Sequence, residues 1–157
     1  MKININKELD KAIKLAVEVH AGTFDKGGHP YILHPLHVMN NVMFDKGLAV
    51  IAVLHDVVED SHYTIEDLTE MGFTKRTTDA LVLLTHLPED SYETYIEKIA
   101  TSYDAIRVKR KDLEHNSDIT RLKGLRPKDF ERLEKYMKAF KFLGDVKRKN
   151  FVNTKED

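Results

Sequence analysis

The chain of 157 residues has no cysteine and no tryptophan, only four prolines and seven glycines, and a formal net charge of −1. Without cysteine, disulfides and thiolate metal sites are excluded, and the usage fits a cytoplasmic protein. So small a net charge gives no global basic surface for nucleic acid or membrane binding, so any anion must meet positive charge gathered locally. The opening MKININKELD lacks an apolar core of signal-peptide length, and no later apolar run approaches the ~20 residues needed to cross a bilayer. Neither repeats nor low-complexity blocks occur. With 41% hydrophobic and 32% charged residues, the composition is that of a soluble globular domain, expected over 1–144, with a charged, frayed tail at 145–157.

What is present is concentrated in residues 48–60, LAVIAVLHDVVED. The seven apolar residues Leu48 to Leu54 predict a helix apolar on all sides, which belongs at the centre of a core. His55, Asp56, Glu59 and Asp60 follow at once. Buried together, these groups repel one another and lose hydration, so they need water or a cation. On an unbroken helix His55 and Glu59 share one stripe and Asp56 and Asp60 the next, and His55 and Asp56 both reach an ion lying off the helix end. A solvated acidic helix end with a chance His-Asp pair is the alternative, because the dipeptide alone carries little specificity.

The remaining periodicity is helical throughout, with no period-2 alternation, and the predicted class is all-α. A first helix is expected over 7–21, capped by Asn6, with His20 as a core histidine. A glycine-marked loop follows. Then His34 is expected to be extended before Pro35, which opens a second helix with Leu36, Met39 and Met43 inward. Gly47 is expected to separate that helix from the central one. Thr64, Thr74 and Ser91 are expected N-caps, the helix after Thr74 carries Leu81, Val82 and Leu84, and Gly72 is an expected helix stop. Over Asp104–Asn116, Val108, Asp112 and His115 fall on one face that suits the wall of a metal site, while Arg107, Lys109, Arg110 and Lys111 point elsewhere. Pro127 opens a last helix with Phe130, Leu133, Met137 and Phe140 as its apolar stripe.

The segments HAGT, PYILHPLHV, AVLHDVVED, TIEDL and KDLEHN, in this order from His20 to about Leu122, resemble the HD-domain phosphohydrolases. The closest likeness is to the hydrolase domain of Rel/Spo-type alarmone enzymes and their stand-alone small hydrolases. The resemblance implies an all-α HD bundle whose central helix ends at a metal site. It implies one divalent ion, usually manganese, held by His34, His55, Asp56 and Asp112, with Glu59 and Asp60 handling the attacking water. Lys26 and Asn116 match positions that border the nucleotide. The implied activity is removal of the 3′-pyrophosphate from guanosine 3′,5′-bis(diphosphate). Another phosphorylated nucleotide as substrate, or a non-catalytic nucleotide-binding module, are the alternatives. Two departures stand out: Asp25 replaces an arginine of the family, and Ser117-Asp118-Ile119 replaces a common Met-Arg-Thr. Both are expected to weaken phosphate binding.

Overall fold

In the computed structural model, which describes residues 3–151, the chain is built from helices alone apart from one isolated bridge between Phe24 and Pro30. Its framework is α1 (Ile5–His20), α2 (Leu33–Asn40), α3 (Lys46–Leu54) and the single turn α4 (Val57–Asp60). These are followed by α5 (Ile65–Glu70), α6 (Lys75–Leu84), α7 (Tyr92–Ile99), α8 (Tyr103–Asn116), a 3₁₀ turn at Ile119–Arg121, and α9 (Pro127–Phe151).

Helix α3 is the axis. Every residue from Leu48 to Leu54 is fully buried, and α1, α2, α6 and α8 pack around it. Each of its Val, Leu and Ile side chains contributes about 1.5–3 kcal/mol by leaving water. Asp45 caps its N-terminus by accepting the Leu48 N–H at 3.1 Å, so Gly47 lies within the helix instead of separating it from α2. Asn4, two residues earlier than expected, caps α1 through the Asn6 and Lys7 N–H groups. Thr64 forms a capping box with Asp67, Thr74 and Ser91 cap α6 and α7, and Gly72 follows α5 with a positive φ of 80°.

The expected continuous helix over 48–60 is interrupted at His55-Asp56. The His55 imidazole takes the Ala52 carbonyl through Nδ1 at 2.6 Å, and the His55 N–H also turns to Ala52, at 3.4 Å. That carbonyl is the one an α-helix would offer to Asp56, so the side chain competes with the backbone ladder and the helix restarts as α4.

Three expectations are corrected. His34 lies inside the first turn of α2 and is not extended; Pro35 is tolerated there because the first N–H groups of a helix have no intrahelical partner. Val38 is buried in place of Met43. On α9, Phe130 and Met137 are exposed, while Asp129, Ala139, Leu143 and Gly144 face inward. A Cβ at Gly144 would stand 3.2 Å from the Arg110 guanidinium, which lies over Phe140; this small face lets α9 approach α8. Helix α9 continues to Phe151, so residues 145–151 of the expected tail are helical, and 152–157 lie outside the described residues.

Candidate metal centre and adjoining cavity

Four side chains from three parts of the chain converge beneath the end of α3. His34 comes from α2, His55 and Asp56 from the break between α3 and α4, and Asp112 from the inner face of α8. His34 Nε2 stands 2.9 Å from Asp112 Oδ1 and 3.9 Å from Asp56 Oδ2. His55 Nε2 stands 3.1 Å from Asp56 Oδ2 and 3.4 Å from Asp112 Oδ1. The donor atoms of His34, His55 and Asp112 lie within 4.8 Å of one another, and all three residues are buried.

The surroundings orient each donor. His55 Nδ1 donates to the Ala52 carbonyl, so its Nε2 faces the centre, between Asp56 and Asp112. His34 Nδ1 is 2.7 Å from His115 Nδ1. Burial, with Arg121 and His34 nearby, lowers the His115 pKa to about 4, and His34 Nε2 faces inward to Asp112 Oδ1. His37 stacks on His115 with ring centroids 3.8 Å apart. Asp56 Oδ2 accepts the Tyr31 hydroxyl at 2.5 Å. Asp112 Oδ2 accepts Lys109 Nζ at 2.8 Å, and its Oδ1 accepts Asn116 Nδ2 at 2.8 Å.

The carboxylates and imidazoles stabilise one another's charges. Burial disfavours the Asp56 carboxylate, but His55 outweighs it and brings the pKa down to about 2. Burial likewise opposes a charged His55, yet Asp56 and Asp112 raise its pKa well above the ordinary value. Protons on the imidazoles hold these separations, and a cation displacing them would meet a thiolate-free donor set that suits manganese, iron or zinc. His34, His55 and Asp112 are thus a buried group able to hold a metal ion, with Asp56 beside them.

Glu59 and Asp60 on α4 flank the group. Glu59 Oε1 accepts the His86 backbone N–H, and burial raises its pKa. Burial, then repulsion from Asp56 and Glu59, pushes Asp60 up to about 6. Asp60 Oδ2 is 4.0 Å from Nδ1 of buried His20.

A cavity of about 240 Å³ adjoins this centre, with Tyr31 common to both. Lys26 and Asn116 line it, together with three residues that the sequence reading did not single out for it: Arg121, Arg132 and Tyr136. Arg132 is held by Asp129 Oδ1 at 3.1 Å. Asp25 and Asp118 also line the cavity, but Asp118 is occupied with the Thr120 N–H and hydroxyl. Lys109 departs from expectation as well, since it points inward to Asp112. Its spacing of three residues from Asp112 was the available signal.

No family model matches the chain. Among curated proteins, it is 38% identical over 66 residues to a GTP pyrophosphokinase of Myxococcus xanthus, covering 40% of this chain and 9% of that protein. It is 41% identical over 66 residues to a probable GTP pyrophosphokinase of Mycobacterium leprae, covering 40% of the chain and 8% of that protein. It is 41% identical over 59 residues to a guanosine-3′,5′-bis(diphosphate) 3′-pyrophosphohydrolase of Haemophilus influenzae, covering 36% of the chain and 9% of that protein. The matches therefore span only 8–9% of these relatives' length. A solved structure described as a metazoan ortholog of SpoT that hydrolyzes ppGpp superposes with a TM-score of 0.70 at 19% identity, covering 97% of this chain and 99% of that one. The chain is thus an all-α domain that shares its fold over nearly its whole length with that SpoT ortholog and is similar in sequence, over a shorter segment, to these Rel/Spo-type proteins.

Proposed function

We propose that this chain is a metal-dependent phosphohydrolase that removes the 3′-pyrophosphate from guanosine 3′,5′-bis(diphosphate), giving GDP and pyrophosphate. The observation that carries the reading is the junction of two features at Tyr31: the buried group His34, His55 and Asp112 with Asp56 beside it, and a cavity lined by Lys26, Arg121 and Arg132. The names borne by similar proteins agree with this substrate.

His34, His55, Asp56 and Asp112 would hold one divalent ion, manganese in our reading. Such an ion acidifies a water and polarises a phosphate oxygen. The protein's own groups divide the remaining work. Lys26, Arg121 and Arg132 offset phosphate charge, and Asn116 borders the ligand while steadying Asp112. Glu59, anchored through Oε1 to the His86 N–H, orients the attacking water with its other oxygen. Asp60, with its pKa near 6, accepts that water's proton near neutral pH. The water oxygen bonds to the phosphorus next to the 3′-oxygen, the bond from phosphorus to that oxygen breaks, and the 3′-oxygen leaves as a hydroxyl once protonated.

Incubation with manganese and guanosine 3′,5′-bis(diphosphate), its pentaphosphate analogue, nucleoside triphosphates and monophosphates tests the proposal by chromatography of the products. GDP and pyrophosphate are expected from the first substrate. Asp60→Asn should keep its metal and lose about 10²–10⁴-fold in turnover. Cleavage of another nucleotide alone would move the substrate, and binding without turnover in the wild type would make the chain a nucleotide-binding module.

A further inference from the structure

Asp25 faces the cavity that the proposed function assigns to an anionic nucleotide, and taken alone it opposes that role. Its surroundings reverse the conclusion. Arg121 Nη2 lies 3.5 Å from Asp25 Oδ2, while Arg121 Nη1 donates to the His115 carbonyl at 2.9 Å and to Asn116 Oδ1 at 3.3 Å. Asp25 is itself a fixed post. Its Oδ1 accepts the His29 N–H at 2.9 Å, and its own N–H donates to the His29 carbonyl at 2.8 Å. The loop is pressed onto the 3₁₀ turn, because a Cβ at Gly27 would collide with the Arg121 carbonyl oxygen. Burial disfavours the Asp25 carboxylate, but the His29 N–H and Arg121 prevail and hold its pKa below the ordinary value. The carboxylate is thus ionised and already neutralised.

We propose that Arg121 contacts a substrate phosphate directly, beside Lys26 and Arg132, and that Asp25 is the positioning residue that holds its guanidinium in place. Asp25 then assists anion binding, and Arg121 supplies from the 3₁₀ turn the guanidinium that position 25 lacks. A planar guanidinium suits the task, since it can keep protein partners on one edge and present donors to phosphate on another. The same arrangement ties the cavity to the metal centre, because Arg121 meets Asn116, and Asn116 donates to Asp112. The inference rests on the cavity being the nucleotide pocket.

The test is kcat and KM for guanosine 3′,5′-bis(diphosphate) at fixed manganese and salt. Arg121→Ala should raise KM about tenfold, the loss expected for one charge-assisted contact, with kcat changed less than about threefold. Asp25→Arg should also raise KM, because it sets two guanidinium groups against each other. In the double variant Asp25→Arg with Arg121→Ala one guanidinium returns to the rim, and KM should fall below that of either single variant. Asp25→Asn keeps the side-chain shape and serves where the charge reversal does not fold; it should raise KM about threefold. A lowered KM in Asp25→Arg, or an unchanged KM in Arg121→Ala, overturns the inference while wild-type cleavage keeps the proposed function. A wild type that neither binds nor cleaves this nucleotide removes both.

Discussion

Lys109 is the side chain whose loss should disturb the centre most without touching a donor directed at the ion. Its ammonium donates to Asp112 Oδ2 at 2.8 Å, with side-chain exposures of 12% and 5%. It also lies 5.1 Å from the Tyr95 ring centroid. Lys109→Met keeps the stem and deletes the charge, leaving Asp112 Oδ2 buried without its donor. At this separation the direct attraction is about 6 kcal/mol for an effective dielectric near 20, before desolvation is subtracted. Removing one partner of a buried pair costs about 3–5 kcal/mol. We expect urea unfolding of metal-free protein, followed by far-ultraviolet circular dichroism, to show a loss of about 3 kcal/mol near neutral pH. That corresponds to a fall in Tm of roughly 6–12 °C for a domain of this size. The pH dependence has a definite sign. Burial opposes the Asp112 carboxylate, but Lys109 foremost, then His34 and His55, hold its pKa well below the ordinary value. Stability from such a depressed carboxyl is present above its unfolded pKa and lost as pH falls through the folded one. The gap between wild type and Lys109→Met should therefore narrow in acid. A loss under about 1 kcal/mol at neutral pH, or a gap that widens on acidification, would refute the reasoning.

Two further outcomes follow from the centre. Tyr31→Phe removes the hydroxyl donated to Asp56 Oδ2, and manganese affinity by calorimetry should fall about 10–100-fold, as for other partners of metal ligands; unchanged affinity would show that this bond does not orient Asp56. With Asp60 pushed up to about 6 by burial and by Asp56 and Glu59, its carboxylate is present as a base above that pH and lost below it. Turnover should fall as pH drops through about 6, and Asp60→Asn should abolish this limb at unchanged metal content; a limb that persists in the variant belongs to another group.

The helical scaffold was legible in the sequence because its signals are local. Capping residues such as Thr64, Thr74 and Ser91 act within one turn, and the run Leu48 to Leu54 could only be buried. The fold draws together the four residues His34, His55, Asp56 and Asp112 that the family resemblance nominated. The break at His55-Asp56 escaped because it depends on a side chain taking a backbone carbonyl, which periodicity does not register. The inward face of α9 escaped for a related reason: Asp129 and Gly144 face inward, and a count of large apolar residues passes over both. Lys109 read as part of a basic surface because its burial depends on Asp112 and Tyr95 lying beside it. Arg121 was invisible as a cavity residue, since its partners Asp25 and His115 are distant in sequence or offered through backbone.

The most direct measurement of the central claim is the number of manganese ions retained per chain, by elemental analysis after gel filtration, in wild type and in Asp56→Ala of unchanged helical content. The account predicts one ion in the wild type and none in the variant, because losing Asp56 removes a charged donor from the group around His55 Nε2. A wild-type chain without stoichiometric metal, or an Asp56→Ala variant that keeps it, would contradict the account.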